Sequence, residues 1–357
     1  MSVMTVTGKI RGDQLGIVMA HDHILIDLRN QFRECAEITK KAVGEQKVDI
    51  TNLGVVRRNP LALSDNLVMN DVSLAEQEVM EFKRAGGDTI VDATNLGLGR
   101  DVVALRGIAR SVGLNVVCGC GYYYHDTHPQ DMDARSVEQL TEEMVTDLTV
   151  GVDGTGIKAG VIGEIGISPE MHPHEAKVLE ASARAHKKTG VGIQVHIFPW
   201  TTVKGAYPLG LDALEILTKN GVNPRKVSIG HADVSIDINL DYCREIARRG
   251  AFVEFDNFGH EFYVNKADRK FIPGPFATDV QRVLALKEMI AAGYLRNVLL
   301  AVDICHKCLL HRYGGWGYDH ILTNIVPMML EYGITEEQID VLLRENPRNL
   351  LDDEVGN

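Results

Sequence analysis

The sequence predicts an α/β fold of the (β/α)8 barrel class, a TIM barrel, and three observations predict it. Runs of four to eight residues rich in Val, Ile and Ala, without polar alternation, recur eight times along the chain. Such runs mark strands covered on both faces, as in a parallel sheet. Amphipathic helical patterns separate them, and most of those patterns stop at a glycine suited to a left-handed C-terminal position.

The strands are expected at Gly16–His21, Asp88–Ala93, Asn115–Gly121, Gly160–Gly166, Gly192–Phe198, Lys226–His231, Ala251–Asp256 and Asn297–Asp303. Helical spacing of apolar residues is clearest over Ser73–Ala85, Leu211–Lys219, Leu240–Arg249 and Val280–Ala292. The stop glycines are Gly86, Gly113, Gly190, Gly221, Gly250, Gly293 and Gly333. Eight strands in strict alternation favour a closed barrel over an open sheet. No G-x-G-x-x-G follows the first strand, which removes the main support for a dinucleotide fold. Two stretches break the repeat: a long insertion after strand one, residues 28–71, and a loop rich in Gly, Pro and aromatics after strand seven, Asn257–Pro275. Barrels build substrate pockets from long loops at this end of the strands.

A chain of 357 residues is compatible with one barrel domain over its whole length, 1–357. With 37 basic against 49 acidic residues the net charge is −12, and no basic run exceeds a pair. Nucleic acid and anionic membrane are therefore poor partners, and a small-molecule substrate is expected instead. The longest apolar runs fall short of the roughly 18 residues of a membrane span. The N-terminal stretch lacks a basic region followed by a long apolar one, so a cytoplasmic location is expected. Six cysteines (Cys35, Cys118, Cys120, Cys243, Cys305, Cys308) are spread too thinly for a disulfide scaffold and read as free thiols.

Chemistry is concentrated where the predicted strands end. His21 and His23 close the first strand, and alternate residues of an extended strand point the same way, so both imidazoles can share an ion. The same H-x-H spacing recurs at His172 and His174, but in a polar turn that reads as solvated surface. Glu164 lies in GVIGEIG, His196 follows GIQV, His231 follows VSIG and Asp303 follows VLLAV. Each alone reads equally well as a hydrogen-bonded core residue or a helix cap. Together they bring four imidazoles and two carboxylates to one rim. Burying that many ionisable groups without an ion is costly, which points to a metal centre.

This ordered set resembles the phosphotriesterase family of the amidohydrolase superfamily along essentially the whole chain. The likeness extends to Phe255-Asp256-Asn257-Phe258-Gly259, to the run Arg312–Tyr318 and to Arg344-Glu345-Asn346-Pro347. Many members bridge their metals with a carboxylated lysine; here the local phrase offers Gly163 and Glu164, like the branch that uses glutamate. The resemblance implies a hydrolase with two divalent ions, zinc first, with manganese or cobalt as alternatives. His21, His23, Glu164 and Asp303 would hold the more buried ion, and Glu164, His196 and His231 the more exposed one. The ions activate water and polarise the substrate oxygen, while Asp303 serves as catalytic acid–base. The resemblance also implies a homodimer.

For the substrate, Tyr122, Tyr124, His125, His260, Tyr263, Lys307 and Arg312 are expected to face the pocket, with His128 and His306 in the same loops. A pocket so lined favours a lactone or other carboxylic ester. A phosphotriester, an amide or a cyclic amide would use the same centre. A metal-containing binding protein without catalysis is the reading of another class, disfavoured because no member of the ligand set is missing.

Overall fold

A computed structural model of the chain describes residues 2–34, 41–264 and 274–352. The chain opens with an antiparallel hairpin, β1 (Ser2–Thr5) and β2 (Gly8–Arg11). Eight parallel strands follow in spatial order: β3 (Val18–Asp22), β6 (Thr89–Asp92), β7 (Asn115–Cys120), β8 (Val161–Ile167), β9 (Ile193–Ile197), β10 (Val227–Ile229), β11 (Phe252–Phe255) and β12 (Val298–Leu300). Each lies within or overlaps a predicted run. The short pair β4 (Ile26–Asp27) and β5 (Val68–Met69) belongs to the long insertion after the first barrel strand. The sheet curls into a nearly closed (β/α)8 barrel. At its seam the Asp303 amide donates to the His21 carbonyl at 3.2 Å, so two predicted metal ligands are joined where the barrel meets itself.

Strand residues are buried almost throughout, as their non-alternating composition requires. The helices lie around them at Val72–Arg84, Val102–Val112, Val137–Thr149, Pro173–Thr189, Leu209–Lys219, Leu240–Arg248 and Asp279–Ala291. Their starts are fixed by side chains that satisfy free amides: Asp71 accepts from Leu74, Asp101 from Ala104, and Ser136 and Thr278 form capping boxes with Gln139 and Gln281. Gly113 and Gly190 end their helices in the left-handed conformation.

The amino-terminal end of the barrel is plugged. Val6 donates to the Val116 carbonyl from the hairpin side, and Asn346, in the last helix (Asn346–Leu351), donates to the Leu295 and Val298 carbonyls. Lys226 reaches the carbonyl oxygen of Asn349 at 2.7 Å, tying the same helix down. With this end filled, the carboxyl end is the face left open, where barrels hold their sites. The insertion folds over that face through Leu28, Asn30, Gln31, Arg33, Pro60 and Leu61. Part of the predicted loop Asn257–Pro275 and Cys35 lie outside the described residues. Among the described residues no helix is long and apolar enough to cross a membrane.

The interior between β7 and β8 is filled by backbone. A Cβ at Gly119 would sit 2.0 Å from the Gly163 carbonyl oxygen and 3.1 Å from that of Ala93. The Gly163 peptide cannot yield without moving Glu164. Replacing Gly119 by Ala is expected to destabilise the protein by roughly 1–3 kcal/mol, read as a lower urea midpoint with unchanged slope.

Candidate metal centre

The six predicted ligands meet at the carboxyl end of the barrel. Glu164 is the hub. Its Oε2 lies 3.3 Å from His21 Nε2, 2.8 Å from His196 Nδ1 and 4.0 Å from His231 Nε2, while Oε1 lies 3.4 Å from His23 Nε2. Asp303 Oδ1 is 3.4 Å from His23 Nε2 and its Oδ2 is 3.9 Å from His231 Nδ1. All six side chains are buried. Two triplets, His21 with His23 and Asp303, and His21 with Glu164 and His231, place their ligand atoms within 4.8 Å of one another.

Each imidazole is fixed through one nitrogen and presents the other inward. His21 Nδ1 meets Glu254 Oε2 at 2.7 Å, which fixes the proton there and leaves a lone pair on Nε2. That Nε2 is buried with no hydrogen-bond partner. His23 Nδ1 lies 2.9 Å from Thr94 Oγ1, whose own proton goes to the Leu25 carbonyl, so His23 donates and its Nε2 is an acceptor. His231 Nδ1 meets Asp256 Oδ1 at 3.2 Å. His196 has its Nε2 against the hydroxyls of Tyr124 at 2.5 Å and Tyr123 at 3.1 Å, so Nδ1 faces the hub. His196 Nδ1 and His231 Nε2 then stand 2.6 Å apart. One proton shared between these nitrogens holds the contact together, and a bound cation would take that proton's place. The donor set of borderline imidazoles and hard carboxylates fits divalent first-row metals.

Electrostatics agree with this fit. Burial opposes charge on Glu164 and Asp303, yet the surrounding imidazoles, His196 and His21 for Glu164 and His23 and His231 for Asp303, hold both well below the usual carboxylate range. Against its own desolvation, His21 is raised by Glu254, and His231 is raised to about 9 by Asp256. His196 is pushed down to about 4 by burial. The backbone is strained at the same place: among the described residues the non-glycine positions with positive φ are Asp153, His231 (58°) and Asp303 (52°). Two of the three are candidate ligands, where local strain is held by surrounding structure.

Behind the ligands runs a buried polar chain whose single-letter signals are weak. Glu254 on β11 accepts from Gln194 Nε2 at 3.0 Å. Asn257 bridges Asp256 at 2.5 Å and Asp233 at 3.0 Å, and Asp233 meets the fully buried Arg282 at 3.1 Å. Arg282 also pairs with Asp279 at 3.1 Å, and Asp279 with His320 at 2.8 Å. Sequence reasoning singled out Asp256 and Asn257 within a family phrase but missed Glu254, Thr94, Asp233 and Arg282. A glutamate alternating with Asp256 along an apolar strand is the signal that could have found Glu254.

A cavity of about 470 Å³ opens above the ligands. Of the expected substrate residues, Tyr124, His125 and His260 line it, as does His306. Four do not. The Tyr122 hydroxyl is turned outward to Glu143 and Arg135, whereas Tyr123, unforeseen, joins Tyr124 on the wall, both hydroxyls against His196 Nε2. Tyr263 is half exposed, its ring 5.1 Å beneath the Arg58 guanidinium. Lys307 is drawn 2.7 Å from Asp65, into a separate cavity, and the Arg312 amide is held by Glu78. Of the loop after Asp303, His306 is the last residue to line the pocket. The walls are therefore apolar and aromatic, with Ile26, Leu61, Phe198, Trp200, Phe262 and Phe276. Among the described residues Arg33 is the Lys or Arg side chain on the wall. His172 and His174 lie at the start of the helix Pro173–Thr189, His172 as its cap. The five described cysteines are free thiols.

A barrel whose carboxyl end carries this ligand set defines a class of metal-dependent hydrolases. The model of the phosphotriesterase family matches residues 1–351, and the chain belongs to that family. It is 37% identical over 350 residues to a phosphotriesterase-related protein of Nematostella vectensis, covering 97% of each chain. It is likewise 37% identical over 355 residues to the N-acetyltaurine hydrolase of Danio rerio, covering 98% of this chain and 97% of that one. Among solved structures, a resiniferatoxin-binding protein from Rhodobacter sphaeroides superposes with a TM-score of 0.92 at 31% identity, covering 100% of this chain and 96% of that one. The family relationship and hydrolytic relatives identify the protein as a metal-dependent hydrolase.

The buried neutral histidines set an acid limit for the metal-free protein. Burial holds His196 and His260 at about 4 and His306 at about 3, below the usual 6.5. A depressed histidine binds its proton more readily unfolded, so its stabilisation is complete above pH 6.5 and lost as pH falls through the folded values. The melting temperature of metal-free protein is expected to fall steadily between pH 6.5 and about 4. In His306→Gln that decline should be shallower, measured by circular dichroism.

Proposed function

We propose that this protein hydrolyses a carboxylic acyl bond of a small molecule, an N-acyl amide first, using two divalent cations with zinc as the first choice. The observation that carries this reading is the set of inward ring nitrogens of four fixed imidazoles around Glu164, at the floor of a cavity large enough for a small substrate. His21, His23, Glu164 and Asp303 would hold one ion; Glu164, His196 and His231 would hold the other. When bound, the ions supply activated water and polarise the acyl oxygen. Asp303, held ionised by His23 and His231, accepts the proton of the attacking water and returns it to the leaving group. The aromatic walls keep bulk water from the reacting atoms, which strengthens every electrostatic interaction inside.

The amide reading is supported by the N-acetyltaurine hydrolase among the relatives. A lactone or other carboxylic ester is the second reading, since the same centre serves it and only the leaving group differs. The preference over a phosphotriester cannot rest on a cationic pocket, because Lys307 and Arg312 lie off it; it rests on the amide-hydrolysing relatives.

Plasma emission on protein purified without chelator is expected to find about two metals per chain. Turnover on a panel of N-acyl amines, lactones and aryl esters should fall by about 10²–10⁴-fold in Asp303→Asn. Protein that neither retains metal nor turns over any of these after reconstitution with zinc, manganese or cobalt would sink the proposal.

A further inference from the structure

Beside Asp303 the wall of the cavity carries an imidazole and a thiol that the binuclear centre does not use. His260, Asp303 and Cys305 place one ligand atom each within 4.8 Å of the others, and all three are buried. The Asp303 carbonyl lies 3.0 Å from His260 Nε2 and takes the proton there, leaving the lone pair on Nδ1. Cys305 Sγ lies 3.2 Å from His306 Nδ1, and His306 Nε2 is buried without a hydrogen-bond partner. His260, Cys305 and His306 all line the same cavity. The other half of the C-x-x-C does not take part: Cys308 is buried, and its amide is held by Asn66 at 2.9 Å.

We propose that His260, Asp303 and Cys305 form a third cation site, selective for a thiophilic divalent ion such as zinc or cadmium, and that filling it shuts the enzyme down. A thiol, an imidazole and a carboxylate oxygen supply three corners of a tetrahedron, and the open cavity leaves room for water at the fourth. On binding, the S–H bond of Cys305 breaks, a metal–sulfur bond forms and one proton leaves to the buffer. The thiolate offsets the added charge next to the first two ions. His306, its Nδ1 beside the sulfur, would donate a hydrogen bond to the thiolate. Inhibition follows because Asp303, with one oxygen engaged by the first ion, would give its other oxygen to the third and have none left to accept the proton. That consequence rests on the hydrolase reading; occupation of the site does not.

The test starts from protein loaded with two equivalents of cobalt(II) and adds more cobalt while recording absorption and proton release. A third equivalent is expected to bring a near-ultraviolet thiolate-to-cobalt charge-transfer band and one proton. Cys305→Ser should lose the band and Cys308→Ser should keep it. Excess zinc should inhibit the parent protein, and Cys305→Ser should need at least about 100-fold more zinc for the same inhibition. As a check needing no variant, the third equivalent should protect Cys305 from iodoacetamide in peptide mapping. Binding that stops at two equivalents, a band that survives Cys305→Ser, or Cys305 alkylation unaffected by the third equivalent would each overturn the site. Protein that binds the third ion but hydrolyses nothing would leave the site standing and remove only the inhibitory role.

Discussion

The structure depends on one buried carboxylate. Glu164 sits within 4.0 Å of four imidazoles from three different strand ends, and its ionised state is what makes their convergence affordable in a dry interior. Its position is set by backbone. Gly163, with φ of 143°, leaves no room for a side chain because a Cβ would lie 2.5 Å from the Gln194 carbonyl oxygen. The Glu164 amide donates to the Ala93 carbonyl, and Asn95 donates to the Glu164 carbonyl. The hub is therefore held from both sides before any ligand is considered.

Everything around the hub fixes orientation. Four imidazoles are useful to a metal only if each turns the correct nitrogen inward, and Glu254, Thr94, Asp256 and the Tyr123–Tyr124 pair decide that for one histidine each. These partners are themselves anchored, Asp256 through Asn257 and Asp233 to Arg282, whose buried guanidinium balances the acids around it. Removing Arg282 would leave Asp233 uncompensated in the core, which places a surface-distant arginine among the determinants of ligand geometry. The barrel's plugged lower end and the insertion folded over its upper end assign the cavity to a single face. A thiol and two further imidazoles, those of Cys305, His260 and His306, stand beside Asp303 on the same face.

Strands, helices and the six candidate ligands were legible because each depends on local pattern. A strand buried on both faces must be apolar throughout, so His21, His196, His231 and Asp303 stand out against their own runs. Strand polarity alone then places them at one end of a barrel. The substrate wall was less legible. Tyr122, Tyr263, Lys307 and Arg312 share loops with true wall residues, yet Glu143, Arg58, Asp65 and Glu78, all distant in sequence, draw them elsewhere. Loop side chains have no period to constrain their direction, so long-range partners choose it. The same holds for the tautomers of the four histidines and for the meeting of His260 with Cys305. Local order along the chain specifies which elements form and which polar residues end them, whereas the direction of each side chain is decided by contacts that exist only once the barrel has closed.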